Sequence, residues 1–123
     1  MPCVLVIDDD EQFLNVMKAM LSRSRFEVIA APDGRQGIKM CGDAPVDLVI
    51  TDLIMPEVEG LEVIMELKQR FPDLKILAVS GGGRNDPSSY LSLARALGAN
   101  CALAKPFTME MLLKTVNELI SRD

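Results

Sequence analysis

The sequence predicts an α/β fold with a doubly wound, five-stranded parallel sheet and five helices. Five apolar runs of strand length recur along the chain, at residues 3–7, 26–30, 47–51, 75–79 and 101–104. The segments between these runs are longer, and their apolar residues repeat with helical spacing. Strands that alternate with helices are joined by right-handed crossovers, which makes neighbouring strands parallel and places helices on both faces of the sheet.

The first three strands are predicted from the runs CVLVI at 3–7, FEVIA at 26–30 and DLVIT at 47–51. The segment after the first run carries Phe13, Met17 and Met20 on one face of a helix. Strand and helix therefore alternate from the start of the chain.

The last two strands are predicted from KILAV at 75–79 and CALA at 101–104. Asp86 followed by Pro87 marks the start of the fourth helix, and Gly98 marks its end. Thr108 is the expected cap of the fifth helix. The apolar face of that helix contains Leu112, Val116 and Leu119.

Length and composition indicate one compact domain over residues 1–123, with any output domain outside this sequence. The net charge of −5 and the pI of about 4.7 argue against direct nucleic acid binding, which needs clustered Lys and Arg. No apolar stretch is long enough to insert into a membrane, and the N-terminus does not resemble a signal peptide, so we expect a cytoplasmic protein. The three cysteines are expected to be reduced, since they lack metal-ligand spacing.

Polar residues follow four of the five strands. Asp8 and Asp9 follow the first strand, Asp52 the third, Ser80 the fourth and Lys105 the fifth. In the flavodoxin-like strand order 2-1-3-4-5, strands one and three are neighbours, and ligands bind beyond the carboxyl ends of the strands. We therefore expect these side chains to converge on one cleft.

Three neighbouring carboxylates predict a cation site, because each raises the pKa of the others unless a cation compensates. Mg²⁺ fits an all-oxygen ligand set. Asp9 and Asp52 are the expected direct ligands, and Asp8 is expected to act through water. Asp10 is assigned instead to the first turn of the following helix, where an acid complements the helix dipole.

A lysine and a hydroxyl beside a metal favour phosphoryl transfer, which needs positive charge and accurate positioning around the transferring oxygens. Asp52 can act as the nucleophile, because carboxylates form acyl phosphates. Lys105 would neutralise the phosphoryl group, and Ser80 would donate a hydrogen bond to it.

Four motifs, VIDDDE, DLVITDLIMPEVEG, ILAVSG and LGANCALAKPF, resemble those of response regulator receiver domains of two-component signalling, which share a chemotaxis-regulator-like fold. The resemblance implies that Asp52 is the phosphoacceptor and that Ser80 and Lys105 bind the phosphoryl group. It also implies that Asp8, Asp9, Asp52 and the backbone carbonyl of Ile54 hold Mg²⁺. A cis peptide bond between Lys105 and Pro106 is a further implication.

The same resemblance implies a regulatory domain that assists its own phosphorylation and dephosphorylation. The resemblance implies a histidine kinase or a phosphotransfer protein as the donor. Because this chain has no histidine, the phosphoryl group must come from another protein or from a small acyl phosphate. A conformational change would then relay the signal to an unidentified output partner or domain.

The sequence departs from the family pattern at the aromatic switch position and in the glycine-rich stretch after the fourth strand. Ala102 stands where family members usually have an aromatic switch residue, and Tyr90 is a candidate substitute, although an aromatic packed on the fourth helix is the simpler interpretation. The glycine-rich stretch SGGGRNDP at 80–87 is not followed by Gly-Lys-Ser or Gly-Lys-Thr, which excludes a P-loop. Ile54 and Gly82 occupy positions that tune acyl phosphate hydrolysis in this family.

Two alternatives remain from the residues alone. Asp8 and Asp10 have the Asp-x-Asp spacing of Mg²⁺-dependent phosphohydrolases that resemble the haloacid dehalogenase superfamily, but Glu11 and Gln12 follow instead of that family's Gly-Thr or Gly-Val. The second alternative is a receiver-like binding module that is not phosphorylated. The nucleophile distinguishes the phosphoacceptor switch from the hydrolase: it is Asp52 in the switch and Asp8 in the hydrolase.

Overall fold

A computed structural model of the chain describes residues 1–53, 60–81 and 87–121. The strands are β1 (Cys3–Ile7), β2 (Glu27–Ala31), β3 (Leu48–Asp52), β4 (Lys75–Gly81) and β5 (Cys101–Lys105). The helices are α1 (Glu11–Arg23), α2 (Gly34–Asp43), α3 (Gly60–Arg70), α4 (Pro87–Leu97) and α5 (Met109–Ser121). The strand order is β2-β1-β3-β4-β5 with parallel pairing throughout, which confirms the predicted fold.

Four strands, β2 to β5, end one or two residues later than the apolar runs predicted. Asp52 pairs with Val79, and Lys105 pairs with Gly81, so both polar residues belong to the parallel ladder rather than to the loops after it. Ser80 likewise pairs with Ala104 inside the sheet. Polar residues remain in register here because backbone pairing does not depend on an apolar side chain. The consequence is that these side chains are attached to the sheet and not to loops.

The core has two layers, one on each face of the sheet. Alternate residues of β1 serve the two layers: Leu5 and Ile7 pack toward α2, α3 and α4, whereas Val4 and Val6 pack toward α1 and α5. All five residues of β1 and all five of β3 are buried. Central strands that are covered on both faces in this way are typical of parallel sheets.

Among the described residues, three helices carry side-chain caps at their N-termini. The carboxylate of Asp10 accepts hydrogen bonds from the backbone N–H groups of Gln12 and Phe13, which confirms its assignment to the first turn of α1. Asp33 caps α2 in the same way, and Thr108 Oγ1 accepts from the N–H of Met111 at 3.0 Å, as predicted for α5. The predicted cap Asp86 lies outside the described residues.

Gly98 directly follows α4 and has a φ of 128°, a value that residues with a side chain rarely adopt. This confirms the predicted helix end. The bond between Lys105 and Pro106 is cis, as the family resemblance implied. Within the described ranges, no helix has the length and apolar character needed to cross a membrane.

The close approach of α2 to β1 generates a test of packing with two glycines of one helix. A Cβ atom at Gly37 would overlap Cδ1 of the fully buried Ile7 and lie 2.7 Å from its Cγ1, whereas a Cβ atom at Gly42 would meet nothing within 4 Å. We expect Gly37→Ala to lower the free energy of unfolding by about 1–3 kcal/mol through overpacking. Gly42→Ala should raise it by about 0.5–1 kcal/mol through helix propensity. Urea unfolding of both variants measures this, and equal effects of the two substitutions would contradict it.

Candidate functional site

The carboxyl edge of the sheet gathers three acids and one lysine. Carboxylate oxygens of Asp8, Asp9 and Asp52 lie within 4.8 Å of one another. The ammonium of Lys105 lies 3.1 Å from Asp8 Oδ2 and 3.3 Å from Asp52 Oδ2, so one cation bridges two of the carboxylates. The structure therefore brings together four of the predicted site residues.

Asp8 is held firmly and is fully buried. Its backbone N–H donates to the carbonyl of Ala31 at 3.1 Å, which continues the pairing of β1 with β2 by one residue. Its Oδ1 accepts from the N–H of Asp10 at 2.8 Å, and its Oδ2 faces Lys105. Both oxygens are thus occupied by donors from the protein.

Burial dominates the ionisation of Asp8. The pKa of Asp8 is raised from 3.8 to about 6, chiefly because burial removes the carboxylate from water. The negative charge of Asp52 also contributes to the increase, whereas the hydrogen bond from Asp10 and the charge of Lys105 partly offset it. The site thus holds more negative charge than its one lysine compensates.

Asp52 is the last residue of β3, and its side chain is 12% exposed. The next residue, Leu53, donates its N–H to the carbonyl of Val79 at 3.0 Å, which keeps the chain against β4 beyond the strand. Thr51 is fully buried and donates its hydroxyl to the carbonyl of Asp52 at 3.2 Å. These contacts fix the backbone of Asp52 while leaving part of its carboxylate open to solvent.

Ser80 lies at the same edge but is not bonded to the acids or the lysine. Its side chain is 1% exposed, and its Oγ has no hydrogen-bond partner among the residues that the structure describes. An unpaired buried hydroxyl is unfavourable by about 1–3 kcal/mol. The unsatisfied group is therefore available to a polar ligand that reaches the strand end.

Lys105 has a third neighbour that the sequence did not reveal. Its Nζ lies 3.9 Å from the ring centroid of Phe13, which was assigned only to the apolar face of α1. The ring of Phe107 packs edge-on against Phe13, with centroids 6.3 Å apart and an interplanar angle of 81°. The available signal was position: Phe13 lies three residues after the cap Asp10, in the helical turn nearest the site.

The other predicted residues differ in where they lie relative to the cluster. Asp9 is exposed and belongs to the carboxylate cluster, whereas the carboxylate of Asp10 is used in the cap of α1. Ile54, whose carbonyl was an expected metal ligand, lies outside the described residues, as does Gly82. The side chain of Tyr90 is also outside them, and Ala102 is partly buried in β5.

A groove of about 900 Å³ lies elsewhere in the molecule. Pro2, Phe71 and Ile120 are among the residues that line it, together with Asp47 and Lys75. These residues lie at the amino ends of β1, β3 and β4 or in the segments beside them, whereas the carboxylate cluster lies at the carboxyl ends. The groove therefore has no part in the chemistry of the cluster.

Comparisons with known proteins agree with this geometry. A family model described as the response regulator receiver domain matches residues 4–117. Response regulator RR06 of Streptococcus pneumoniae is 32% identical over 119 residues, which cover 97% of this chain and 53% of that protein. The chain spans about half the length of the curated relatives it matches.

Solved structures give the same result. A response regulator receiver domain protein from Clostridium thermocellum is similar with a TM-score of 0.92 and 30% identity, covering 99% of this chain and 96% of that one. The response regulator TrrA of Thermotoga maritima, in complex with Mg²⁺ and BeF, has a TM-score of 0.86 and 30% identity, covering 97% of this chain and 99% of that one.

The raised pKa of Asp8 generates a prediction about pH and stability. Because the folded chain binds this proton more tightly than the unfolded chain, Asp8 stabilises the fold below about pH 4, and that contribution is lost as the pH rises through about 6. We expect the free energy of unfolding of Asp8→Asn, relative to the native chain without divalent cations, to increase by up to about 3 kcal/mol from pH 4 to pH 7.5. Urea unfolding at a series of pH values measures this difference, and a difference that stays constant with pH would contradict the prediction.

Proposed function

Because the chain belongs to the response regulator receiver domain family, we propose that it is a phosphoacceptor switch in which Asp52 accepts a phosphoryl group. The observation that carries the proposal is the shared ammonium: Lys105 bridges Asp8 and Asp52, while a third carboxylate, Asp9, lies within 4.8 Å of both. The donor is the phosphohistidine of a histidine kinase or phosphotransfer protein, and the reaction depends on Mg²⁺.

The donor set fits Mg²⁺. The three carboxylates and the one ammonium leave a net charge of −2 when all are ionised, and every donor in the cluster is an oxygen, which hard cations prefer. Asp9 and Asp52 are the proposed direct ligands, and Asp8 is the proposed ligand through water. The backbone carbonyl of Ile54 is the remaining proposed protein ligand. When bound, Mg²⁺ supplies positive charge beside the transferring phosphoryl oxygens.

Asp52 is a better nucleophile than Asp8 on three grounds. Asp8 is fully buried, and both of its oxygens accept hydrogen bonds. Asp52 keeps part of its side chain open to a donor. Partial exposure of a carboxylate beside a lysine is what an incoming phosphoryl group requires.

The hydrolase alternative loses support at Asp10. That mechanism needs both acids of the Asp-x-Asp pair in the site, but the Asp10 carboxylate accepts hydrogen bonds from the first turn of α1. Asp10 is also absent from the carboxylate cluster found among the described residues. Of the two acids, only Asp8 takes part in the cluster, and a single acid cannot perform both roles.

Lys105 and Ser80 complete the proposed chemistry. The Lys105 ammonium, 3.3 Å from Asp52, is close enough to neutralise charge on a phosphoryl group that Asp52 carries. The hydroxyl of Ser80, which has no partner among the described residues, would gain a hydrogen-bond acceptor from a phosphoryl oxygen on Asp52, so its interaction would differ between the two states. A ligand shifts a conformational equilibrium by its differential interaction with the two states, and this hydroxyl supplies one such difference.

The proposed output is a change at the surface of the domain that a downstream partner or domain reads. The switch is regulatory, and the domain assists its own phosphorylation and dephosphorylation. Ala102 provides no aromatic ring, so the aromatic switch residue usual in the family is missing. The change at Ser80 must therefore use other parts of the surface formed by α4, β5 and α5.

Acetyl phosphate provides a direct test of the proposed phosphoacceptor. We expect the native chain to gain one phosphoryl group in the presence of Mg²⁺, measured by intact mass, and to gain none with a chelator. Asp52→Asn should abolish the gain, because the acceptor oxygen is lost.

Asp33→Asn is the matched control, since it changes an acid that caps α2 and that lies outside both the carboxylate cluster and the contacts of Lys105. It should be phosphorylated like the native chain. If phosphorylation persists in Asp52→Asn but disappears in Asp8→Asn, the nucleophile is Asp8, and this result would favour the hydrolase. No gain in the native chain from acetyl phosphate or from a phosphorylated kinase would favour the binding module.

A further inference from the structure

We propose that Phe13 is a positioning residue for phosphoryl transfer, because its ring holds the Lys105 ammonium over the gap between Asp8 and Asp52. This inference rests on the proposed phosphoacceptor function. Phe13 itself touches no reacting atom. Its effect is exerted through Lys105, whose Nζ lies 3.9 Å from the ring centroid.

The contact has the geometry of a cation–π interaction, in which an ammonium lies within about 6 Å of an aromatic centroid and is attracted to the negative face of the ring. The side chain of Lys105 is 24% exposed, and Phe13 is also partly buried, so both groups are partly removed from solvent. Desolvation strengthens this attraction. The ring is therefore the third group, after the two carboxylates, that fixes the ammonium.

The ring belongs to a closed cycle of four contacts. Asp8 Oδ1 accepts from the N–H of Asp10, and Asp10 Oδ1 accepts from the N–H of Phe13 at 3.3 Å. The Phe13 ring contacts Lys105, and Lys105 returns to Asp8 Oδ2 at 3.1 Å. The cycle ties the first turn of α1 to the end of β5, so the start of the helix and the ammonium are positioned together.

Phe107 packs against the ring of Phe13 and restrains it. It follows the cis bond after Lys105 and packs edge-on against Phe13. Edge-to-face packing is a preferred arrangement of aromatic pairs and limits rotation of both rings. The platform under Lys105 is therefore itself held in place.

An aromatic platform suits a lysine that must change partners. A lysine has four rotatable side-chain bonds, and holding its ammonium in one place loses considerable rotamer entropy. When Asp52 carries a phosphoryl group, the ammonium moves from the carboxylate to a phosphoryl oxygen. A ring attracts the ammonium without demanding a directed hydrogen bond, so the short movement does not break the contact. An acid at position 13 would instead compete with the phosphoryl group for Lys105.

Two substitutions separate the ring's electronic effect from its packing. Phe13→Leu keeps an apolar side chain but removes the π face, whereas Phe13→Tyr keeps the π face. Phe71→Leu is the matched control, because Phe71 is another partly buried phenylalanine, at the opposite end of the sheet. We expect the initial rate of phosphorylation by acetyl phosphate, at saturating Mg²⁺, to fall about threefold to tenfold in Phe13→Leu. Phe13→Tyr and Phe71→Leu should stay within about twofold of the native rate.

A second measurement needs neither metal nor phosphoryl donor. The ring current of Phe13 should shift the ε-methylene proton resonances of Lys105 upfield in the native chain and in Phe13→Tyr. In Phe13→Leu the shift should be lost. The proposal is overturned if Phe13→Leu keeps the native rate, if Phe13→Tyr loses as much rate as Phe13→Leu, or if the Lys105 resonances are the same with and without the ring.

These outcomes are distinct from failure of the proposed function. If the native chain is not phosphorylated, the phosphoacceptor function fails, and the positioning role that rests on it fails with it. The resonance shift would then still report whether the contact between Phe13 and Lys105 exists. If the native chain is phosphorylated and only the Phe13 effects are absent, the switch stands and the positioning role alone is wrong.

Discussion

The structure depends on one electrostatic constraint: three carboxylates share a sheet edge with a single ammonium. Asp8 lies at the end of the fully buried β1, where it has lost its water, and Lys105 alone is bonded to both Asp8 and Asp52 among the described side chains. The uncompensated charge makes the edge unfavourable by itself and favourable for a divalent cation. Stability and ligand affinity therefore oppose each other at this site, as expected where charged groups are gathered for function.

The fold holds these charged residues close together mainly through the backbone of the sheet. Parallel pairing keeps Asp52, Ser80 and Lys105 in register with their neighbours, so their Cα atoms are fixed by the sheet. The helix that follows β1 begins only after Asp10, whose N–H and carboxylate link Asp8 to the first turn. A rigid sheet, followed at once by the first turn of a helix, is a suitable support for groups that must be placed accurately.

Much of this was predictable from sequence, and the exceptions have physical reasons. The alternation of strands and helices predicted the fold class, whose flavodoxin-like strand order in turn predicted that Asp8, Asp9, Asp52 and Lys105 meet at one sheet edge. The strand ends were placed too early, because backbone pairing continues through polar residues. The contact between Phe13 and Lys105 was missed, since helical spacing assigns an aromatic residue to a face but does not identify the cation above it. The predicted roles of Ile54 and Gly82 remain predictions, as these residues lie outside the described ranges.

The most direct test of the site is a crystal structure of the chain grown with Mg²⁺ and beryllium fluoride, which forms adducts with carboxylates that accept phosphoryl groups. We predict the adduct on Asp52, with fluorines toward Lys105 and Ser80 and with Mg²⁺ in contact with Asp9 and Asp52. An adduct on Asp8, or Mg²⁺ bound away from the three carboxylates, would contradict both the assigned acceptor and the electrostatic origin of the site.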